Sequence, residues 1–270
     1  MNLFDLRKSL KADFAKADID IQDADFIIAE VLDQPVTMLA LVDEITDEQY
    51  EKIIKFADMR KQHIPVNKIF KHAYFYGLDF KINNFVLAPR QETELLVETA
   101  LKYIRANNFK TVLDLCTGSG CLAISIKKNA DVDMTASDIS SRAISVATAN
   151  ANQNQVDVKF VLSNMFENLQ GKFDLIVTNP PYIATEDIED LDDEVKNCDP
   201  RIALDGGDFG LSYYKIIHDN LRKYLNENGI IVMEIGEDQR MMIESLFNDF
   251  ELIEVGNDYN DVERVLVFKK

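Results

Sequence analysis

Four consecutive residues, Asn179-Pro180-Pro181-Tyr182, have the types and order most suited to chemistry, and they follow the apolar run "DLIVT". Proline holds its own φ angle and carries no N–H, so this turn is rigid and poor in local donors. It presents two fixed acceptors, the Asn179 side-chain oxygen and the Pro180 carbonyl oxygen, and Tyr182 adds an aromatic face. We expect this set to hold a planar –NH2 group and to leave its lone pair free to attack an electrophile.

A glycine-rich loop lies upstream, in "VLDLCTGSGCLAI" at 112–124, between an apolar run and a predicted helix. In a doubly wound fold such a turn lies at the carboxyl end of a strand, where ligands bind, and Gly118 and Gly120 let the backbone come close to one. A dinucleotide fingerprint would place a third glycine where Ala123 stands, and alanine is an allowed variant there. Spacing alone therefore leaves nicotinamide and S-adenosylmethionine cofactors as alternatives, because both carry adenosine.

Polar residues follow the next two predicted strands. Asp138 lies about 20 residues after the loop, where an acid would bind ribose hydroxyls, although it could instead cap the helix in "DISSRAI". Asn164 and Met165 could give an adenine a hydrogen-bond partner and an apolar wall, with core packing as the alternative. Asp114 precedes the loop and could cap or orient it. Together these positions predict one cofactor site.

Charge and cysteine content limit the classes of function. The chain has 47 acidic and 29 basic residues and a net charge of -18, whereas a protein that binds nucleic-acid phosphates should present a basic surface. Cys116, Cys121 and Cys198 fit neither a disulfide framework nor a zinc pattern, so we expect no metal and the reduced thiols of a cytoplasmic protein. The first predicted helix carries charges throughout, so we expect no signal peptide. No apolar run reaches the length of about 20 residues that a membrane span needs, so we expect no membrane span.

Helical spacing dominates the first part of the chain. Leu3, Leu6, Leu10 and Phe14 recur on one helical face, and "TDEQ" at 46–49 is a capping-box signal. We therefore predict a small helical bundle domain over residues 1–75. The aromatic and β-branched residues that follow predict a linker or hairpin over 76–90.

From residue 91 to 270, predicted strands and helices alternate, which is typical of an α/β fold with helices on both faces of a sheet. The last two apolar runs, "FELIEV" and "RVLVF", predict an antiparallel pair, so the expected fold class is a Rossmann-like domain with a mixed seven-stranded sheet. The other strands are predicted at 111–115, 133–137, 158–162, 174–178 and 229–234, and the helices at 91–106, 121–129, 141–152, 212–225 and 238–247.

The motifs "LDLCTGSG", "DIS" and "TNPPY" together resemble those of S-adenosylmethionine-dependent amino-methyltransferases, which methylate adenine, guanine or a glutamine amide. Further segments resemble the release factor glutamine methyltransferase family, as does a helical N-terminal domain of this size. These segments are "APRQETELLVE" at 88–98, "DPRIALDGGDFGLSYYKII" at 199–217, "EIGEDQ" at 234–239 and "DYNDVERVLVF".

The resemblance implies transfer of a methyl group from S-adenosylmethionine to the side-chain amide nitrogen of the glutamine in the Gly-Gly-Gln motif of peptide chain release factors. It implies that Arg90 and Glu94 support the pocket wall, with an ordinary ion pair or helix cap as the alternative. It also implies a cytoplasmic enzyme, expected to be a monomer, whose helical domain recognises the substrate and which needs no nucleic acid. The implied cofactor residues are Thr117, Gly118, Ser119, Gly120, Asp138, Met165 and Asn179, the substrate residues are Asn179, Pro180, Pro181 and Tyr182, and the catalytic residues among these are Asn179, Pro180 and Tyr182.

The sequence departs from the family pattern at three positions. Cys116 stands where glycine is common, Asn164 where aspartate is common, and Gln91 where proline is common; none of these changes removes a group that the chemistry needs. A ribosomal-protein glutamine methyltransferase, a DNA or RNA amino-methyltransferase and a binding module without activity remain alternatives. The acidic segment 183–210 is either a solvated loop or a rim facing a basic protein partner.

Overall fold

The computed structural model describes all of residues 1–270, which form two compact units. Unit 1 comprises Met1–Lys71 and Asp192–Cys198, and unit 2 comprises His72–Leu191 and Asp199–Lys270. Unit 1 thus ends at Lys71 rather than at 75, because His72 begins a strand. It also includes a short segment from beyond the proline turn, which the sequence analysis had placed in the second domain.

Unit 1 is helical, and its core is formed by the predicted apolar faces. Leu3, Leu6, Leu10 and Phe14 are all buried in one cluster with residues of the following helices. The capping box is present, since Gln49 N–H donates to the Thr46 hydroxyl and Thr46 N–H donates to the Gln49 side chain. The helices are α1 Leu3–Lys16, α2 Gln22–Leu32, α3 Asp47–Arg60 and α4 Val66–Phe70, with a 3-10 helix at Val36–Leu41 and a short helix at Asp193–Cys198.

A buried cation explains why Asp192–Cys198 belongs to unit 1. The Arg60 side chain is 5% exposed and pairs with Asp23 and with Glu194, each at 2.6 Å. A buried guanidinium is stable only where carboxylates neutralise its charge. Arg60 therefore pairs with Glu194 as well as with Asp23, and this ion pair links the segment that contains Glu194 to the helices of unit 1.

Unit 2 begins with a two-stranded hairpin and continues as a seven-stranded mixed sheet, which confirms the predicted fold class. The strand order in the large sheet is β5-β4-β3-β6-β7-β9-β8. The first five strands of this order are parallel to one another, and β9 is antiparallel to both of its neighbours, β7 and β8. The strands are β1 His72–Phe75, β2 Leu78–Lys81, β3 Thr111–Leu115, β4 Asp133–Asp138, β5 Lys159–Leu162, β6 Phe173–Thr178, β7 Leu225–Glu234, β8 Glu251–Asn257 and β9 Glu263–Lys269.

Helices cover both faces of the sheet, as the alternation of side chains along each central strand requires. Val112 packs in one apolar cluster and Leu113 in the other, and Leu175 and Ile176 divide in the same way. The helices of this unit are α5 Glu94–Asn107, α6 Cys121–Asn129, α7 Ser141–Asn154, α8 Ser212–Tyr224 and α9 Arg240–Leu246, with 3-10 helices at Thr185–Asp190, Arg201–Ala203 and Asp208–Gly210. None of the helices in residues 1–270 has the length and apolar character that crossing a membrane requires.

The topology brings the predicted site together. Strands β4, β3 and β6 are adjacent and parallel, so the segments that follow them meet at one edge of the sheet. Asn150 of α7 also ties this edge to the hairpin, because its buried side chain donates to the carbonyls of Ser119 and Lys81 and accepts from Lys81 N–H.

Candidate active site

A cavity with about 960 Å³ of empty space, its open mouth included, lies at the carboxyl ends of these strands. Its lining is largely apolar, as expected of a cofactor site. Gly120, Pro180 and Tyr182 are not among its lining residues. The predicted site residues that do line it are Thr117, Gly118, Ser119, Asp138, Met165, Asn179 and Pro181, with Asn164 beside them.

The glycine-rich loop is held in place by Asp114. One oxygen of this buried carboxyl accepts from the Thr117 hydroxyl at 2.5 Å and from Ala123 N–H at 3.1 Å. Asp114 is therefore an orienting residue for the loop. Gly120 begins α6 with φ +83, and a Cβ there would lie 3.0 Å from the Cβ of Ala147, so its absent side chain allows the helix to pack.

Burial changes the protonation of Asp114. Loss of solvent raises its pKa to about 7, against the lowering effect of the bonds from Thr117 and Ala123. The unfolded chain releases this proton near its ordinary value of 3.8, whereas the folded protein keeps it until about pH 7. Unfolding therefore releases a proton between these values, and the contribution of Asp114 to stability falls as pH rises.

We expect the replacement Asp114→Asn to remove this pH dependence. An amide keeps an acceptor for Thr117 and Ala123, and it has no proton to release. The free energy of unfolding of D114N relative to the wild type should increase from pH 4 to pH 7, by up to about 4 kcal/mol, and then level off. Urea titrations of both proteins across this range test the expectation, and a difference that does not vary with pH would contradict it.

Cys116 adopts φ +64, the left-handed region that favours glycine. Its Sγ lies 3.8 Å from Sδ of Met165, which is also left-handed, with φ +47. Burial raises the pKa of the Cys116 and Cys121 thiols, so both are neutral at physiological pH. No group of three or more His, Cys, Asp or Glu side chains within residues 1–270 could hold a metal ion.

Asp138 bridges the loop and the start of α7. One of its oxygens accepts from Gly118 N–H at 2.9 Å and the other from Ser140 N–H at 2.8 Å. Desolvation raises the pKa of this carboxyl, and the bonds from Ser140 and Gly118 oppose the rise. Each oxygen keeps a further lone pair, so a carboxylate at the cavity wall can still accept from two hydroxyls of a ribose. The N-cap of α7 is Ser140, whose hydroxyl accepts from Ala143 N–H, so Asp138 does not itself cap this helix.

The predicted adenine wall combines an oriented amide with apolar surface. The Asn164 side-chain nitrogen donates to Glu167 at 2.9 Å, which leaves its oxygen as the acceptor for an amino group. Met165 is 7% exposed and lines the cavity. Phe85 and Tyr213 also line it, although the sequence analysis did not single them out. They come from distant parts of the chain, and only the folded topology brings them to this wall.

Asn179 is held from behind by two residues that the sequence analysis also missed. Its side-chain nitrogen donates to the Thr93 hydroxyl oxygen at 3.4 Å, and the Thr93 hydroxyl donates to Glu234 at 2.7 Å. The Tyr182 hydroxyl lies 3.4 Å from the other Glu234 oxygen. The Asn179 nitrogen is thus engaged by Thr93, which leaves the Asn179 side-chain oxygen as the acceptor for a ligand in the cavity that both residues line.

The residues expected to support the wall, Arg90 and Glu94, do not line the cavity, although Thr93 between them does. Arg90 pairs with Asp199 at 2.8 Å. Glu94 accepts from Tyr76 N–H at 2.7 Å and so stabilises the left-handed residue of the β1–β2 turn. Their contacts are those of an ion pair and a turn cap, and any effect on the cavity is indirect.

Comparison with known proteins gives consistent matches. Residues 91–195 match the model of the methyltransferase small domain family. The chain is 38% identical over 260 residues to a release factor glutamine methyltransferase of Agrobacterium fabrum, covering 92% of this chain and 90% of that protein. It is 37% identical over 263 residues to one of Thermodesulfovibrio yellowstonii, covering 94% of each. A methyltransferase structure from Pyrococcus furiosus, 17% identical, has a TM-score of 0.56 over 79% of this chain and 98% of that chain, which supports the fold.

Proposed function

The chain belongs to the release factor glutamine methyltransferase family, and we propose that it methylates the side-chain amide nitrogen of the glutamine in the Gly-Gly-Gln motif of peptide chain release factors. The observation that carries the proposal is the presence of two parts in one cavity. Asp138 with the glycine-rich loop provides a place for an adenosine-bearing cofactor, and Asn179 provides an oriented acceptor for an amide.

The residues present fit S-adenosylmethionine. When bound, it supplies an electrophilic methyl group on a sulfonium. Asp138 would accept hydrogen bonds from the ribose hydroxyls, and the Asn164 oxygen would accept from the adenine amino group. Met165 would give the adenine an apolar wall, while Thr117, Gly118 and Ser119 would border the rest of the cofactor.

The proline turn would position the substrate amide. The Asn179 side-chain oxygen, which belongs to a lining residue, would accept one of its hydrogens, and the carbonyl of Pro180, which is next in the chain but not among the lining residues, would accept the other. This arrangement would direct the nitrogen lone pair toward the methyl group. Pro181 lines the cavity beside them, and Tyr182 limits one side of the turn with its hydroxyl toward Glu234. These residues act by orientation and electrostatics, because an amide nitrogen is a weak nucleophile that gains most from a fixed geometry.

A protein amide is a better substrate for this chain than a nucleic-acid base. The net charge of -18 opposes the approach of a polyanion, and acidic residues such as Glu186, Asp187 and Asp190 are exposed just after the turn. We propose that the helical domain, predicted over residues 1–75, recognises the release factor and that the enzyme acts as a monomer. Cysteines that form no disulfide and a substrate of translation termination support the proposal of a cytoplasmic location.

One experiment separates the proposed substrate from its alternatives. Labelled S-adenosylmethionine is offered with a purified release factor, with large-subunit ribosomal proteins, with DNA and with RNA in separate reactions. We expect label on the release factor, and none when the glutamine of its Gly-Gly-Gln motif is replaced by alanine. Label on DNA or RNA with none on the release factor would contradict the proposal, and label confined to a ribosomal protein would favour the sibling activity.

A further inference from the structure

Behind the Asn179 amide lies a short hydrogen-bond chain that ends in a buried acid. Glu234, the last residue of β7, is 4% exposed, and Thr93, which precedes α5, is 3% exposed. The Thr93 hydroxyl donates to Glu234 at 2.7 Å and accepts from the Asn179 side-chain nitrogen at 3.4 Å. A buried carboxylate is costly, so its position directly behind the candidate substrate turn needs an explanation.

The hydrogen bonds from Asn179 through Thr93 to Glu234 have a direction, and the ionised Glu234 determines it. A carboxamide has nearly the same shape in both orientations, but one end accepts hydrogen bonds and the other donates them. An ionised Glu234 can only accept, so Thr93 must give it its single hydroxyl proton. The Thr93 oxygen then has only lone pairs left for Asn179, which must present its –NH2 end. The Asn179 oxygen is consequently turned to the opposite side.

We propose that Glu234 and Thr93 are positioning residues for methyl transfer: the Glu234 carboxylate, acting through the Thr93 hydroxyl, determines which end of the Asn179 carboxamide meets the substrate amide. This inference rests on the function proposed above. It adds to that function a requirement on two residues, of which Thr93 lines the cavity and Glu234 does not.

Protonation of Glu234 would remove this constraint. A neutral carboxyl can either accept from the Thr93 hydroxyl or donate to its oxygen, and in the second arrangement the Thr93 proton points at Asn179 and favours the flipped amide. Burial raises the pKa of Glu234 to about 7, against the bonds from Thr93, Tyr182 and Asn179 and the charge of Arg264. Two neutral groups also interact electrostatically with it, the thiol of Cys121 and the phenol of Tyr214.

The ionisation of Glu234 determines how kcat should depend on pH. The ionised form is the one that orients Asn179, so kcat should rise with pH through about 7 and level off above it. Asp114, which orients the glycine-rich loop, also has a pKa raised to about 7, so the profile is assigned to Glu234 only if it is lost in Glu234→Gln while Asp114 is unchanged. A role limited to packing would be insensitive to this ionisation.

Three variants test the assignment. Thr93→Val keeps the shape of the side chain and removes both hydrogen bonds, whereas Thr93→Ser keeps the hydroxyl and is the matched control. Glu234→Gln keeps the shape but can donate to Thr93 and cannot ionise. We expect Thr93→Val and Glu234→Gln to lower kcat by about 10- to 100-fold with little change in KM for the release factor, and Thr93→Ser to stay near wild type. The rate of Glu234→Gln should also lose the rise near pH 7. Wild-type kcat in Thr93→Val, or a wild-type pH profile in Glu234→Gln, would overturn the proposal.

A second readout does not need the release factor. In protein labelled with ¹⁵N-asparagine, the side-chain –NH2 signal of Asn179, assigned by its loss in Asn179→Asp, should shift with pH through about 7 in the wild type and not in Glu234→Gln. Thermal melts identify any variant that fails to fold. If this titration is seen and no release factor is methylated, the proposed function fails and the orientation stands. If methylation occurs with no titration and no loss in Thr93→Val, the orientation is wrong.

Discussion

Replacing Asn179 with alanine is expected to lower kcat for methyl transfer by about 10²- to 10³-fold, the loss typical when one preorganised hydrogen-bonding group is removed from an active site. The methyl side chain has no acceptor for the substrate amide, and the Pro180 carbonyl alone cannot fix the rotation of the –NH2 group. The amide would still enter the cavity, but its lone pair would sample many directions. The rate measured at saturating release factor and cofactor reports this loss directly.

A second asparagine of the same cavity is the matched control for this variant. Asn164 lines the cavity near the predicted adenine position, so Asn164→Ala should weaken cofactor binding and leave kcat at saturation nearly unchanged. Asn179→Ala should do the reverse, with a dissociation constant for S-adenosylmethionine within a few-fold of wild type. If Asn179→Ala turned over at the wild-type rate, Asn179 would have no role as an amide acceptor.

Replacing Asp138 with alanine is expected to raise the dissociation constant for S-adenosylmethionine by about 100-fold or more. Two hydrogen bonds from ribose hydroxyls to a carboxylate would be lost, each contributing about 1.5–3 kcal/mol. The change also leaves Gly118 N–H and Ser140 N–H without their acceptor, which loosens the loop that borders the cavity. Isothermal titration calorimetry with the wild type and the variant measures the effect.

Two variants bracket this result. Asp138→Asn keeps one acceptor oxygen, so we expect an intermediate loss of about 10-fold. Glu167→Gln changes an acid that contacts Asn164 but not the predicted ribose position, and it should bind the cofactor nearly as well as wild type. Cofactor affinity that is unchanged in Asp138→Ala would show that this carboxylate only joins the loop to α7.

The sheet could be predicted from the sequence because its signals are local. Strand 111–115 and helix 121–129 have the predicted bounds, since apolar patterning and a glycine turn separate them. β7 begins at Leu225 rather than at 229, because Leu225 pairs with Phe173 across a register shift that no local pattern indicates. Asp192–Cys198 belongs to unit 1, where Glu194 contacts Arg60. These two residues are distant in sequence, so no local pattern indicates their contact either.

The location of the candidate site could be predicted where a single motif places residues at a strand end. Asp138 and Asn179 lie at strand ends beside the glycine-rich loop, and parallel order alone brings them to one edge. Thr93 and Glu234 were not singled out, although both lie in segments that resemble the family. An acid directly after the apolar run "GIIVM" was the available signal, because a buried carboxylate at a strand end needs a partner. Its link to Asn179 required the folded structure.

The turn after β6 is expected to direct one methyl group to one glutamine amide. The most direct test is to incubate the full chain with a purified release factor and S-adenosylmethionine carrying a deuterated methyl group, and to map the product by peptide fragmentation. We predict a single labelled methyl group on the glutamine side chain of the Gly-Gly-Gln peptide, and none with Asn179→Ala. An unlabelled Gly-Gly-Gln peptide, with label at another residue or on nucleic acid, would contradict the account.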